Sequence, residues 1–329
     1  MSSSSDRTIL VTGGAGYIGS HAVLACIEAG FGVVVLDDLS SGERARVPDT
    51  VTFVEGDVGD GELVRRLVRE SGVGALMHFA GSIAVEESMA DPAFYYLNNT
   101  VKSLALFEAA LGAGVRSIIY SSTAAVYASG GQASVAEDAA IEPCSPYGRS
   151  KLAAEMILKD LCVAAEARYG LLRYFNVAGA DPMGRSGQGS SASTHLIKVA
   201  CEVAIQKRPL LPVFGDDYAT RDGTCIRDYI HVSDLADLHV LALQRLEGGG
   251  ESFTANCGYG VGATVLEVVA AFERLLQRKM PVEIRPRRPG DAPMLVADSS
   301  HVRQLLGWRP RLDTLDQIID SAYRWEQSR

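Results

Sequence analysis

Short apolar runs alternate with amphipathic stretches through the first half of the chain. Thr8-Ile9-Leu10-Val11, Val33-Val34-Val35-Leu36, residues 51–55, Ala75-Leu76-Met77-His78-Phe79 and residues 117–120 are all strand-length runs bounded by turn residues. Such runs read as buried strands, whereas apolar positions recurring every three or four residues read as helices. That helical period fills the stretch from Gly19 to Gly30 and residues 60–70, 94–113 and 147–168. The result is a βαβ rhythm, which predicts a Rossmann-type, doubly wound parallel sheet of the α/β class. Residues 128–146, rich in Gly, Ser and acidic positions, read as a loop, and residues 170–175 read as a further strand.

The rhythm breaks after Ala180. Residues 181–193 read as a loop, and Thr194-His195-Leu196 opens a helix to about Lys207. A short strand at 213–215, a turn-rich segment at 216–224, a helix capped by Ser233 or Asp234, a strand at 252–256, a helix at 264–278 and a strand at 282–285 follow. We therefore expect a nucleotide-binding domain over 1–176 and a smaller α/β substrate domain over 177–329, with about 213–245 packing back on the first.

Candidate chemistry gathers where the predicted strands end. After the first strand come Gly13, Gly16 and Gly19, in a GxxGxxG spacing. One glycine allows a tight turn, one lets backbone approach a pyrophosphate, and one lets helix and strand pack closely; the helix N-terminus supplies amide donors. The alternative is a glycine-rich loop with no ligand. Asp37, 18 residues after Gly19, stands where a carboxylate meets adenosine ribose hydroxyls, or else caps a turn. A carboxylate there repels a 2′-phosphate, so NAD is expected rather than NADP. Asp57 either receives the adenine amino group or caps the helix that follows. Ala80-Gly81 lets a cofactor lie against backbone, and the paired Asn98-Asn99 inside a helical stretch suggests a polar task.

Composition narrows the partners. The 329 residues are 47% hydrophobic and 22% charged, with a net charge of −9. A globular fold follows, and nucleic acid and anionic membrane are poor partners for it. The cysteines at 26, 144, 162, 201, 225 and 257 form no CxxC pair and have no zinc-ligand spacing, so free thiols and no metal are expected. Residues 1–7 lack an apolar core, and no apolar run reaches membrane-spanning length. A cytoplasmic location is expected.

One further pair matters. Tyr147 and Lys151 lie one helical turn apart, and an ammonium beside a phenol favours the phenolate, a candidate general base. The spacing alone is weak evidence, and a surface Tyr and a surface Lys would share it.

These stretches, in this order, resemble the extended short-chain dehydrogenase/reductase superfamily, and within it the UDP-sugar 4-epimerases. The matching segments are Thr12-Gly-Gly-Ala-Gly-Tyr-Ile-Gly-Ser-His21, His78-Phe-Ala-Gly81, Tyr95-Tyr-Leu-Asn-Asn99, Ser121-Ser-Thr-Ala-Ala-Val-Tyr127, Ser145-Pro-Tyr-Gly-Arg-Ser-Lys151, Leu172-Arg-Tyr-Phe-Asn176, Asp222-Gly-Thr-Cys-Ile-Arg-Asp-Tyr-Ile-His-Val232 and Arg288-Pro-Gly-Asp291. The resemblance implies reversible C4 epimerisation of UDP-glucose and UDP-galactose through a 4-keto sugar with tightly bound NAD. Tyr147 is implied as base, Lys151 as holding the nicotinamide ribose and lowering the tyrosine's pKa, and Thr123 as meeting the sugar 4-hydroxyl. Cofactor contacts are implied for Gly13, Gly16, Tyr17, Ile18 and Gly19, for Asp37, Asp38 and Leu39, for Asp57 and Val58, and for Phe79, Ala80 and Gly81. Asn98, Ser121, Tyr147, Lys151, Tyr174 and Phe175 complete that set.

Thr123, Tyr147, Asn176, His195, Leu196, Arg227, Arg288 and Asp291 are implied to bind the UDP-sugar. Arg227 and Arg288 would pair with its diphosphate and Asp291 with the uridine ribose; for Arg227 a plain salt bridge to Asp228 or another neighbour is the alternative. The chain departs from the family pattern at Ile83, where Lys is common, at Asp38, where Asn is common, and at Leu295, where a bulky aromatic restricts the sugar pocket. The last departure implies room for an N-acetyl group, so UDP-N-acetylglucosamine and UDP-xylose/UDP-arabinose are alternative substrates. A dehydratase would need an acid/base pair where this chain has Ala124-Ala125. A homodimer is implied, built on helices 94–113 and the Tyr147 helix.

Overall fold

The structure, a computed structural model, describes residues 8–128, 134–189, 194–288 and 291–329. In chain order the elements are β1 (Thr8–Thr12), α1 (Tyr17–Glu28), β2 (Gly32–Asp37), β3 (Thr52–Glu55), α2 (Gly61–Glu70), β4 (Val73–His78), α3 (Val85–Ala90), α4 (Pro92–Tyr96), α5 (Lys102–Gly112), β5 (Ser117–Thr123), α6 (Pro146–Ala164), β6 (Arg168–Tyr174) and β7 (Asn176–Ala178). There follow α7 (Leu196–Ala204), β8 (Leu211–Phe214), β9 (Ile226–His231), α8 (Val232–Glu247), β10 (Phe253–Cys257), β11 (Gly262–Thr264), α9 (Val265–Leu276), β12 (Val282–Arg285), β13 (Met294–Leu295), α10 (Ser300–Leu306) and α11 (Leu315–Gln327).

The chain divides into two compact units. In the first, seven strands form one sheet in the order β10-β6-β5-β4-β1-β2-β3. The expected parallel pairing holds for β1 with β2 and β4, for β2 with β3, and for β5 with β4 and β6. Between β1 and β4 the strand order reverses, and this switch point is where doubly wound sheets bind ligands. One sheet face buries Leu10, Leu36, Leu76, Ile118 and Leu171 against Leu67 of α2, Leu106 and Phe107 of α5 and Leu158 of α6. Each such side chain contributes about 1.5–3 kcal/mol relative to exposure. After β9 the chain returns to this unit from Ala236 to Ala255.

The single helix expected over 94–113 is interrupted. Between α4 and α5 lies one π-type turn, Leu97–Val101. Its sequence supplies the reason. Asn98 Nδ2 donates to Ser82 Oγ at 3.0 Å, Asn99 Nδ2 donates to the Ser82 carbonyl at 2.9 Å, and Asn99 Oδ1 accepts from Ser82 N at 2.8 Å. Thr100 Oγ1 donates to the Ser150 carbonyl on α6 at 2.9 Å. Successive α-helical residues point about 100° apart. The widened turn lets three consecutive side chains meet two neighbours.

The second unit is organised on β9, which pairs antiparallel with β11 and parallel with β13 and β7. A two-stranded parallel ribbon, β8 with β12, completes its sheets. The six cysteines are free thiols, and only Cys144 is exposed. No helix among the described residues is long and apolar enough to cross a membrane.

The turn after β1 depends on two glycines. Gly13 has φ +70°, and a Cβ there would lie 2.6 Å from the Ala80 amide; a Cβ on Gly19 would lie 2.1 Å from the Gly13 carbonyl oxygen. Both obstacles are backbone, so neither yields cheaply. Gly19→Ala is expected to lower stability by about 1–3 kcal/mol or more through overpacking, read as a lower urea midpoint at unchanged denaturant slope.

Candidate active site

At the carboxyl end of β1 the glycine turn delivers the chain into α1. That helix starts on Gly16 with no side-chain cap and no acidic residue in its first turn. Its opening amides, on Tyr17, Ile18 and Gly19, suit an anionic group. At the end of β2, buried Asp37 accepts from Ala15 N and Leu39 N, both at 2.9 Å, and so ties the glycine turn to the neighbouring strand. Burial raises its pKa, and those two amides oppose the rise. Asp38 is exposed and accepts from Ser40 N at 2.9 Å, and Leu39 takes φ +57°. An adenosine-sized group with free ribose hydroxyls fits this acidic edge.

Asp57 does not cap the following helix; Asp60 does, accepting from Glu62 N and Leu63 N. Asp57 instead accepts from Gly59 N at 2.8 Å and pairs with Lys102 at 2.6 Å. Val58 is buried in the core. Phe79 packs 4.7 Å from the His239 ring, and Tyr174 lies 5.6 Å from the same ring. Phe175, just past β6, is half-buried. Gly81 follows Ala80 with φ +151°, and a Cβ there would come within 2.9 Å of Asn99 Oδ1.

The catalytic candidates converge at the end of β5. Ser145 caps α6 by accepting from Gly148 N at 3.1 Å, with Pro146 in the first turn. This capped start fixes Tyr147 and Lys151 one turn apart on one face. Tyr147 hydrogen-bonds Thr123, and Tyr95 packs edge-on to its ring at 6.4 Å. Lys151 is buried; its Nζ donates to the Ser121 carbonyl at 3.0 Å and lies 4.9 Å from the Tyr120 ring. Burial raises the Tyr147 pKa, and the Thr123 hydroxyl partly offsets this. Burial pushes Lys151 down to about 8, with the Glu155 carboxylate opposing the drop. In this structure, then, the influence that lowers the phenol comes from Thr123, and Lys151 is itself a weakened base held by a carbonyl.

Within the second unit β9 gathers several candidates. Arg227 stands opposite Leu295 of β13, and Asn176 of β7 stands opposite Tyr229. The Arg227 guanidinium is engaged by the Asp291 carboxylate. It does not pair with Asp228, which is buried and accepts from Tyr259 N, Gly260 N and Ala297 N. Arg288 stacks 3.9 Å over the Phe214 ring. His195 is exposed at the start of α7, and Leu196 packs against Val213, Tyr218, Cys225 and Val265.

Sequence reasoning missed a second polar cluster behind Lys151. Glu155 and Arg173 form a buried fork, with Nε to Oε1 at 2.9 Å and a second bond at 2.5 Å. Ser122 Oγ donates to Glu155 at 2.5 Å, and Arg173 donates to Tyr127 Oη at 3.0 Å. Two signals were available. Glu155 continues the Tyr147–Lys151 stripe by one more turn, and Arg173 interrupts the apolar run Leu171-Leu172-Arg173-Tyr174.

A parallel sheet in this strand order, a glycine turn at its switch point, and a Tyr-x-x-x-Lys helix, its Lys buried and its Tyr half-buried, meeting a Thr at the end of β5 together define an extended short-chain dehydrogenase/reductase. The chain belongs to the NAD dependent epimerase/dehydratase family, whose sequence pattern matches residues 9–258, and NAD is its cofactor. Its first unit fits that cofactor at the open α1 terminus and at the Asp37 edge.

A UDP-glucose 4-epimerase of Azospirillum brasilense is 54% identical over 320 residues, covering 97% of this chain and 92% of its own. The crystal structure of UDP-glucose-4-epimerase from Stenotrophomonas maltophila with bound NAD and formylated UDP-arabinopyranose superposes with a TM-score of 0.94 at 38% identity, covering 98% of each chain. The UDP-Glc/GlcNAc 4-epimerase of Campylobacter jejuni gives a TM-score of 0.86 at 44% identity, covering 98% of this chain and 99% of that one.

Thr123→Val removes the hydrogen bond that lowers Tyr147. The phenol pKa then rises further, and the acid-side limb of the kcat–pH profile is expected to move to higher pH. Initial rates across about pH 6 to 10 measure the shift.

Proposed function

We propose that the chain interconverts UDP-glucose and UDP-galactose by reversible inversion at C4. The observation that carries this reading is the Tyr147–Thr123 hydrogen bond beside Lys151, at the carboxyl end of β5 in the same sheet as the glycine turn. Bound NAD accepts the C4 hydride from the sugar and returns it. Tyr147 takes the 4-hydroxyl proton and gives it back, and Thr123 orients that hydroxyl. Lys151 stays protonated below about pH 8, held by the Ser121 carbonyl, and is proposed to hold the nicotinamide ribose. Inversion requires the flat 4-keto sugar to present its other face before hydride returns. A firm hold on the diphosphate and a loose hold on the sugar meet that requirement.

Arg227 and Arg288 are the proposed diphosphate ligands, since a guanidinium fork binds phosphate oxygens bidentately. Asp291 is the proposed ribose ligand, and Asn176, His195 and Leu196 are proposed to line the nucleotide-sugar site. The Arg227 guanidinium is engaged by Asp291, so a bound diphosphate would exchange with that carboxylate and release it toward the ribose. Thr123 is followed by Ala124 and Ala125, which cannot perform the extra acid/base step of a dehydratase.

A second reading, an epimerase that also accepts N-acetylated UDP-hexoses, is favoured by Leu295 lying in register with Arg227. A branched aliphatic side chain leaves more room there than an aromatic one.

The assembly is proposed to be a homodimer. Phe94, Leu97, Val101 and Leu104 are all at least 40% exposed and recur at i, i+3, i+7 and i+10. Met156 and Val163 are exposed on α6. A stripe of that spacing matches an identical stripe on a second copy.

Two measurements test these assignments. Purified protein is expected to convert UDP-galactose to UDP-glucose without added reductant, and Tyr147→Phe to lose about 10²–10⁴-fold in kcat; turnover near the parent rate in that variant would remove Tyr147 as the base. Leu97→Glu is expected to give a monomer by light scattering where the parent gives a dimer.

A further inference from the structure

The Tyr147–Lys151 pair needs more than a capped helix. It needs α6 held in one register against β5, and the first unit contains a device that does this. Three consecutive β5 residues engage α6 by three different bonds. The Ser121 carbonyl accepts from Lys151 Nζ, Ser122 Oγ donates to Glu155, and Thr123 bonds Tyr147. Glu155 is also gripped through both oxygens by Arg173 of β6, whose remaining reach is taken by Tyr127. The side chains of Arg173 and Glu155 are 2% and 1% exposed. Shifting α6 by one residue would turn all three contacts away together.

We propose that Glu155, held by Arg173 and Ser122, is a positioning residue for the epimerisation: it fixes the height of Lys151 and Tyr147 above the strand ends and keeps a negative charge one turn behind Lys151. Glu155 is fully buried, and Arg173 and Ser122 hold its carboxylate, so it acts through Lys151 and Tyr147. The proposal rests on the epimerase reading above.

The charge matters as well as the register. The titratable and charged groups that bear on Lys151 are Glu155 on its own helix, Tyr120 on β5 and His78 on β4. His78 is kept neutral by burial and by Lys151 itself. Its Nδ1 meets Thr12 and its Nε2 meets Ser103, which donates onward to the Asn99 carbonyl. Tyr120 is pushed up by burial and stays neutral. Glu155 is therefore the anion that opposes deprotonation of Lys151. Arg173 holds that carboxylate but adds no second anion.

Glu155→Gln keeps the shape and removes the charge. Without that anion the Lys151 pKa falls further, so the charged form is lost at lower pH. The expected result is a fall of about tenfold in kcat near pH 7.5, a KM for UDP-galactose within about twofold of the parent, and an alkaline limb displaced to lower pH. Ser122→Ala, a smaller change, should lower kcat by a few fold with its alkaline limb unmoved, because the carboxylate remains.

A Glu155→Gln profile that superimposes on the parent's overturns the proposal. So does a kcat loss with an unmoved alkaline limb, which a purely structural role would give. Should Glu155→Gln fail to fold, an unaltered kcat in Ser122→Ala overturns the positioning role by itself. The parent enzyme separates the two levels: a parent that does not turn over UDP-galactose refutes the epimerase reading, whereas an active parent with parent-like variants refutes only the role of Glu155.

Discussion

A carboxylate and a guanidinium stay charged in a protein interior only when each finds a full set of partners, and the first unit is built around one such pair. Removing one member of a buried pair typically costs about 3–5 kcal/mol, because the survivor is left uncompensated. Glu155 and Arg173 avoid that cost through a two-pronged fork, a serine donor and a tyrosine acceptor. The geometry they demand is narrow, and it joins α6, β5 and β6 in one place. A hydrophobic contact would have tolerated sliding. The ion pair does not, and Tyr147, Lys151 and Thr123 inherit its precision.

The same crevice is tightened from its other side by backbone. Gly13 presses on Ala80, and Gly81 leaves the space that Asn99 Oδ1 occupies. The π-type turn then hands Asn99 to Ser82 and Ser150, and Thr100 to Ser150, so the loop after β4 and the catalytic helix share one fastening. Close approach at the switch point and polar fastening behind it together tie the ends of β1 and β4 to the catalytic helix.

Much of this could be read from the residues alone. Buried parallel strands announce themselves as apolar runs, and the glycine spacing between a strand and a helix has few other uses. The Tyr147–Lys151 spacing was visible too but weak by itself, since a surface Tyr and a surface Lys would share it. The π-type turn was legible only as an oddity, two asparagines in a helix, since its cause lies in partners at Ser82 and Ser150 that are distant in sequence. Asp57 was open between two roles because its partner Lys102 arrives from another helix. Glu155 and Arg173 were passed over because a charged residue in a helix or strand usually means a solvated face, and only the folded sheet reveals that this face is sealed. A return to the first unit was expected over about 213–245, whereas residues 236–255 make it, because which strand β10 joins is decided by pairing, not by local pattern.

That return has a consequence for how the chain is made. β6 lies between β5 and β10 in the finished sheet. During synthesis every residue from Tyr174 to Phe253 must emerge before the second neighbour of β6 exists. Until then β6 is an open edge carrying Leu171, Leu172 and Tyr174, the kind of edge that recruits other chains. The nascent protein thus passes through a period in which Arg173, buried in the finished sheet, sits on an unfinished border. A cation on an otherwise apolar edge discourages stray pairing. The residue that later anchors the catalytic helix can first serve as a guard against aggregation.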